Sequence, residues 1–185
     1  YSAFSRLLLG ALIASWLGDL FLHLWQRKIF NAIGFAGFLT AHFFFIAAFL
    51  SVIKEVSPGT PFVSVVEILF ILAFDIFFLL FSAKIGTSLK GILKIPILLY
   101  ATVITFMLCK AALMGVTLIK AGSAYGTIAA VTAITGAVNF VASDFTIAIL
   151  IFNQKHKKNY PLKMFNMVTY FIAELLLSGL ILFVK

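Results

Sequence analysis

A single cysteine, Cys109, excludes an internal disulfide and a thiolate metal cluster. It lies inside an apolar run and reads as a small buried side chain. Charge is also scarce. Charged residues make up 11% of the chain, against about a quarter in an ordinary soluble domain. Only six residues are acidic. There are four prolines, and none interrupts an apolar run. Pro58, Pro61 and Pro161 fall in breaks between runs. Pro96 falls in the first turn of one, where its missing N–H is not needed. What the chain has in abundance is hydrophobic surface: 63% of 185 residues, with a mean hydropathy of +1.17. Such a composition belongs in lipid.

A helix needs roughly 20 apolar residues to cross the hydrocarbon. Six runs qualify, at 6–25, 29–53, 62–82, 95–119, 127–152 and 164–184. No soluble domain or low-complexity segment separates them. Backbone groups in lipid must bond internally, so the expected fold is all-α: one polytopic transmembrane bundle of six spans over residues 1–185. The net charge is +8, but the bases flank apolar runs and form no stripe on a polar domain, so no nucleic-acid partner is expected. Arg27 and Lys28, then Lys84, Lys90 and Lys94, then Lys155, Lys157, Lys158 and Lys163 follow the first, third and fifth runs. The other two connections carry only Lys54, offset by Glu55, and Lys120. The positive-inside rule puts the richly basic loops in the cytoplasm, with Tyr1 and Lys185 on the far side. Either a bacterial inner membrane or the endoplasmic reticulum fits. The sequence sets no oligomeric state. Ala129, Ala133 and Ala137 form a small-residue stripe that would let a neighbouring helix approach closely.

The two signs of charge are placed differently. Thirteen of the fourteen bases lie in loops or at run ends, Lys110 being the exception, whereas five of the six acids lie inside runs. A central aspartate costs about 2.5–3.5 kcal/mol on insertion scales. Several such costs point to an interior polar site. At about 1.5 Å per residue, Asp19, Asp75 and Asp144 fall at similar depth toward the basic end. His42 and Glu174 lie near mid-membrane. Ser15 and Asp19 share a helix face, as do Asn139 and Ser143 beside Asp144. Asn166, Tyr170, Glu174 and Ser178 make a polar stripe on the last run. Each has a plainer reading. The stripes can serve as hydrogen-bonding glue, and His42 can be a satisfied interior histidine. Asp75 and Glu67 can pair with a base such as Lys110, which in turn can snorkel outward.

Three segments resemble the signatures of the YhhN family, the lysoplasmalogenase-like membrane proteins. They are SWLGDLFL (15–22), IGFAGFLTAHFFF (33–45) and FVASDFTIAI (140–149), in the family's order. The resemblance implies an eight-helix protein, of which this chain would hold six with two upstream spans missing. Relatives often carry tyrosine at the position of Phe45 and glutamine at that of Glu174. It also implies hydrolysis of the vinyl ether of lysoplasmalogens to a fatty aldehyde and glycerophospho-ethanolamine or -choline. The catalytic residues carried over are Asp19, His42 and Asp144.

That chemistry suits carboxyls in lipid. A vinyl ether is cleaved by protonating its β carbon, which gives an oxocarbenium ion that water traps. The site needs an acid at neutral pH, an anion near the cation and one water. Desolvation can raise a carboxyl by up to about 3–5 pKa units, and glycosidases use paired carboxyls against a similar transition state. Asp19 and Asp144 are therefore expected to be the acid and its partner, in either order. Ser15, Asn139 and Ser143 would orient them or hold the water. Asp75, Tyr170 and Glu174 complete the expected substrate contacts. The alkenyl chain would lie among phenylalanines such as Phe43, Phe44, Phe77 and Phe78. Arg27, Lys28 or Lys84 would meet the phosphate of a lysophospholipid substrate. No cofactor is called for, and no spacing of a dedicated metal site is present. The alternative is a proton-coupled transporter that uses the same intramembrane carboxylates.

Overall fold

The computed structural model describes residues 2–24, 28–84, 94–153, 155–156 and 158–184. Tyr1, Trp25, Arg27, Lys90, Lys157 and Lys185 lie outside the described residues, as do the side chains of His23, Lys28 and Lys94. The described chain forms six helices: α1 (Ala3–Leu24), α2 (Lys28–Val56), α3 (Val65–Lys84), α4 (Lys94–Lys120), α5 (Gly126–Phe152) and α6 (Tyr160–Gly179). A short 3-10 turn, Leu180–Leu182, closes it. Each expected run holds one helix. The segments Ala3–Leu22, Ile29–Val56, Ile95–Lys120, Gly126–Ile151 and Tyr160–Leu182 are long and apolar enough to cross a membrane. The 20-residue α3 adds a further apolar helix.

Capping chemistry explains where the ends depart from expectation. The third helix starts at Val65, later than position 62, because Ser64 and Glu67 form a capping box. The Glu67 backbone N–H donates to Ser64 Oγ at 3.3 Å, and the Ser64 N–H donates to Glu67 Oε2 at 2.8 Å. The last helix starts early, at Tyr160. Asn159 Oδ1 accepts from the Leu162 N–H at 3.1 Å, and Pro161 occupies the first turn. Between α4 and α5 the chain turns at Gly122, whose φ of +70° suits a residue without a side chain. There the Ser123 N–H reaches the Leu118 carbonyl at 3.1 Å and the Gly122 N–H reaches that of Ile119 at 3.0 Å, closing a Schellman motif.

Packing arranges the helices in the cyclic order α1, α2, α4, α5, α6, with α1 and α6 touching only lightly and α3 outside the ring against α4. Phe45, Phe49, Met107, Met114 and Phe140 fill the core. A close crossing joins α1 to α2. A Cβ added at Gly37 would stand 2.8 Å from the Gly18 Cα, and one added at Gly18 would stand 3.0 Å from the Gly34 carbonyl oxygen. The expected stripe of Ala129, Ala133 and Ala137 is fully buried. Gly115 of α4 lies so near α5 that a Cβ there would be 2.6 Å from that of Ala130.

A buried ion pair fastens α3 to the ring. Lys110 Nζ lies 2.6 Å from Glu67 Oε1 and is fully enclosed, so Lys110 does not snorkel. The Phe106 and Phe62 ring centroids stand 4.8 and 5.8 Å from the ammonium. An opposing carboxylate and two aromatic faces replace the water that snorkelling would have supplied.

Candidate functional site

Three helices bring polar side chains together at Asp144. It sits in the last third of α5, on a turn that also carries Ser143. His42 lies in the middle of α2 and is fully buried. Its Nε2 is 2.8 Å from Asp144 Oδ2. Tyr100, near the start of α4, donates its hydroxyl to the same oxygen at 2.9 Å and stands 3.3 Å from His42 Nε2. With Asp144 as the acceptor, Nε2 is the donor. The other ring nitrogen, Nδ1, is buried and has no hydrogen-bond partner among the described residues. Phe140 and Tyr100 pack edge-on against the imidazole, at centroid distances of 4.8 and 5.7 Å. One carboxylate oxygen thus receives two donors in the wall between α2, α4 and α5.

Beyond that wall lies a cavity of about 170 Å³. Asp19, Ser143, Asp144, Asn166 and Tyr170 give it polar lining, and Phe38 packs beside them. Two carboxylates from helices far apart in sequence therefore face one space. The α5–α6 wall is held by a reciprocal clamp. The Asn166 amide donates to the Ser143 carbonyl at 2.8 Å and to its Oγ at 2.9 Å, while Ser143 Oγ donates to the Asn166 carbonyl at 3.2 Å. Tyr170 is fixed by its edge-on contact with Phe38, at 5.8 Å between centroids. One turn further from the basic end, Ser15 faces the Glu174 carboxyl. Glu174 lies within electrostatic reach of Asp19 and Asp144, and Tyr170 within reach of all three acids.

Two expected site residues stand elsewhere. Asp75 accepts from Thr102 Oγ1 at 2.8 Å, on the interface between α3 and α4. Its depth matches that of Asp144, but α3 lies outside the ring, so it does not line the cavity. Asn139 folds its amide back onto the Thr135 carbonyl of its own helix at 2.9 Å and also stays out of the cavity. The expected phenylalanine bed differs as well. Phe43, Phe44 and Phe77 are exposed on the outer surface, and only Phe78 is buried. Lys84 is exposed.

Three residues of the site are absent from the set expected from sequence: Tyr100, Phe38 and Asn166. Tyr100 did carry a signal. It is the lone phenol of its run, one turn past Pro96, at the depth that lines up Asp19 with Asp144. Asn166 was visible only as part of the α6 stripe.

Residues 1–181 match the model of the YhhN family. No curated protein and no solved structure matches the chain.

Proposed function

The chain belongs to the YhhN family, and we propose that it works as a membrane-embedded lysoplasmalogenase-like hydrolase, cleaving the vinyl ether of a 1-alkenyl lysophospholipid. The observation that carries this reading is the shared cavity: Asp19 and Asp144 line one space, and Asp144 is gripped from behind by His42 and Tyr100.

The roles follow from the hydrogen bonds. Asp144 Oδ2 accepts from two donors, which suits the carboxylate of the pair. Asp19, across the cavity, is the proton donor. Asp19 protonates the β carbon of the vinyl ether, and positive charge develops over the adjoining carbon and the ether oxygen. The Asp144 carboxylate faces that charge and takes a proton from the water that adds to the cation. The resulting hemiacetal collapses: the glycerol oxygen leaves with the proton held by Asp144, and the hemiacetal hydroxyl returns its proton to Asp19. One water is consumed. A fatty aldehyde and a glycerophospho-ethanolamine or -choline are released. His42 and Tyr100 position Asp144 through its Oδ2, and Ser143 and Asn166 fix the wall behind the water. Exposed Lys84, Lys155, Lys158 and Lys163 gather at the same end of the bundle and favour the phosphate of the headgroup there. In this reading that end faces the cytoplasm.

The test is aldehyde release from 1-alkenyl lysophosphatidylethanolamine by purified protein, with Asp19→Asn and Asp144→Asn made separately. Both variants are expected to fold and to lose turnover. Full activity in both would remove the proposed pair.

A further inference from the structure

Asp144 borders a second space of opposite character. On the side of the Tyr100 hydroxyl, a cavity of about 280 Å³ opens between α2, α4 and α5. Ala32 and Phe35 of α2, Pro96 and Ile97 of α4 and Ala148 of α5 line it. Among the described residues that line it, Tyr100 and Asp144 carry the polar side chains. A smaller space of about 30 Å³ adjoins it. It shares Ile97, Tyr100, Asp144 and Ala148 and continues toward Phe78 of α3 and Phe145 of α5. Proline contributes no N–H, and the alanines leave room without adding polar atoms. A cavity with so little polar lining does not hold ordered water well, since a water needs about 2–4 polar partners. The turns around its mouth carry exposed apolar side chains, Ile29 and Ile33 on α2 and Ile95 and Leu99 on α4. The opening therefore gives onto the surface that meets acyl chains.

We propose that this α2–α4–α5 cavity is the binding site for the hydrocarbon chain of a single-chain lipid, entering sideways between α2 and α4. The inference rests on the hydrolase reading above and adds to it a chain subsite that sets length preference. Its force is positional. A single-chain ether lipid is polar at the glycerol end and apolar beyond the ether. Its reactive bond lies at the join. Asp144 stands at the join between a polar cavity and an apolar one. A chain lying along Phe35 and Ile97, with its glycerol end toward Asp19 and Asn166, brings the ether to the carboxylate. Ala148 lines this cavity and the smaller space adjoining it, so a larger side chain there shortens the accepted chain.

The experiment separates binding from chemistry. Radiolabelled 1-O-alkyl lysophosphatidylethanolamines, whose saturated ether cannot be cleaved by this route, are bound to the purified full chain in nanodiscs, from octyl to hexadecyl. The wild-type protein is expected to bind hexadecyl more tightly than octyl. Ala148→Phe is expected to weaken hexadecyl binding by about tenfold or more, a change of the order that one or two methylenes make in an apolar pocket, and to leave octyl nearly unchanged. Ala32→Phe, at an exposed position of lower folding risk, is expected to act in the same direction. Equal binding of both chain lengths by the wild type, or no change in selectivity in folded Ala32→Phe and Ala148→Phe, would overturn the proposal. Chain-selective binding that follows these substitutions, in a protein that releases no aldehyde from the vinyl ether, would retain the chain site and remove the hydrolase reading. Aldehyde release that is indifferent to them would do the reverse.

Discussion

Two buried carboxylates in this bundle meet cationic or hydrogen-donating partners in different ways. Glu67 is closed on itself. One oxygen caps its own helix, the other meets Lys110, and two aromatic rings cover the ammonium. Asp144 is gripped by His42 and Tyr100 through a single oxygen and borders open space on two sides. The first arrangement completes a local charge balance and joins a peripheral helix to the ring. The second leaves a carboxyl group within reach of a ligand and gathers further acids, Asp19 and Glu174, with no base among the described residues that line the cavity. Burial of charge is common to both. What separates an anchor from a candidate site is the cavity beside it.

The sharpest way to break that contrast is to neutralise each carboxylate partnership in turn. Asp144→Asn should keep the bundle folded and lower aldehyde release by about 10²–10⁴-fold, the usual scale for a positioned acid–base group. Lys110→Met should do the opposite. It leaves Glu67 buried without its partner, and such a break costs about 3–5 kcal/mol, read as a lower unfolding temperature in detergent with unchanged turnover per folded molecule. Adding Glu67→Gln to Lys110→Met, which keeps the cap acceptor and removes the charge, should restore most of that stability. If the double variant instead loses activity, the pair is not merely an anchor. Tyr100→Phe removes one charge-assisted donor, worth about 1.5–3 kcal/mol, and should lower kcat about ten- to a hundredfold with little change in KM. Asn139→Ala should alter stability by no more than about 0.5 kcal/mol and leave aldehyde release untouched, because its amide bonds back to its own helix.

Six helices were readable because apolar length is a one-dimensional property. Depth was readable for the same reason: rise per residue put Asp19 and Asp144 at one level, and they line one cavity. Azimuth and neighbour choice were not. Asp75 shares that level but rides on a helix outside the ring, and only packing decides which helix is peripheral. Lys110 was half legible. A lone base inside an apolar run was a partner for Glu67 or Asp75, and Glu67 meets it; which of the two acids it takes, and that it does not snorkel, only packing decides. Tyr100 escaped because a lone phenol in an apolar run looks like an interfacial aromatic until a carboxylate is seen opposite it. The start of α3 was readable in principle, since Ser64 and Glu67 have capping-box spacing, but the apolar count outweighed it.

The contact of Gly18 with Gly34 and Gly37 has a consequence for chemistry carried out by neither α-carbon. Asp19 follows Gly18 directly, and Phe38 follows Gly37, so two walls of the polar cavity hang from a close backbone approach in the ring. Inserting a single methyl there wedges the first helical hairpin apart, and the acid retreats from its counterpart without any change in its own identity. The width of this chamber is therefore set by the absence of side chains one residue away.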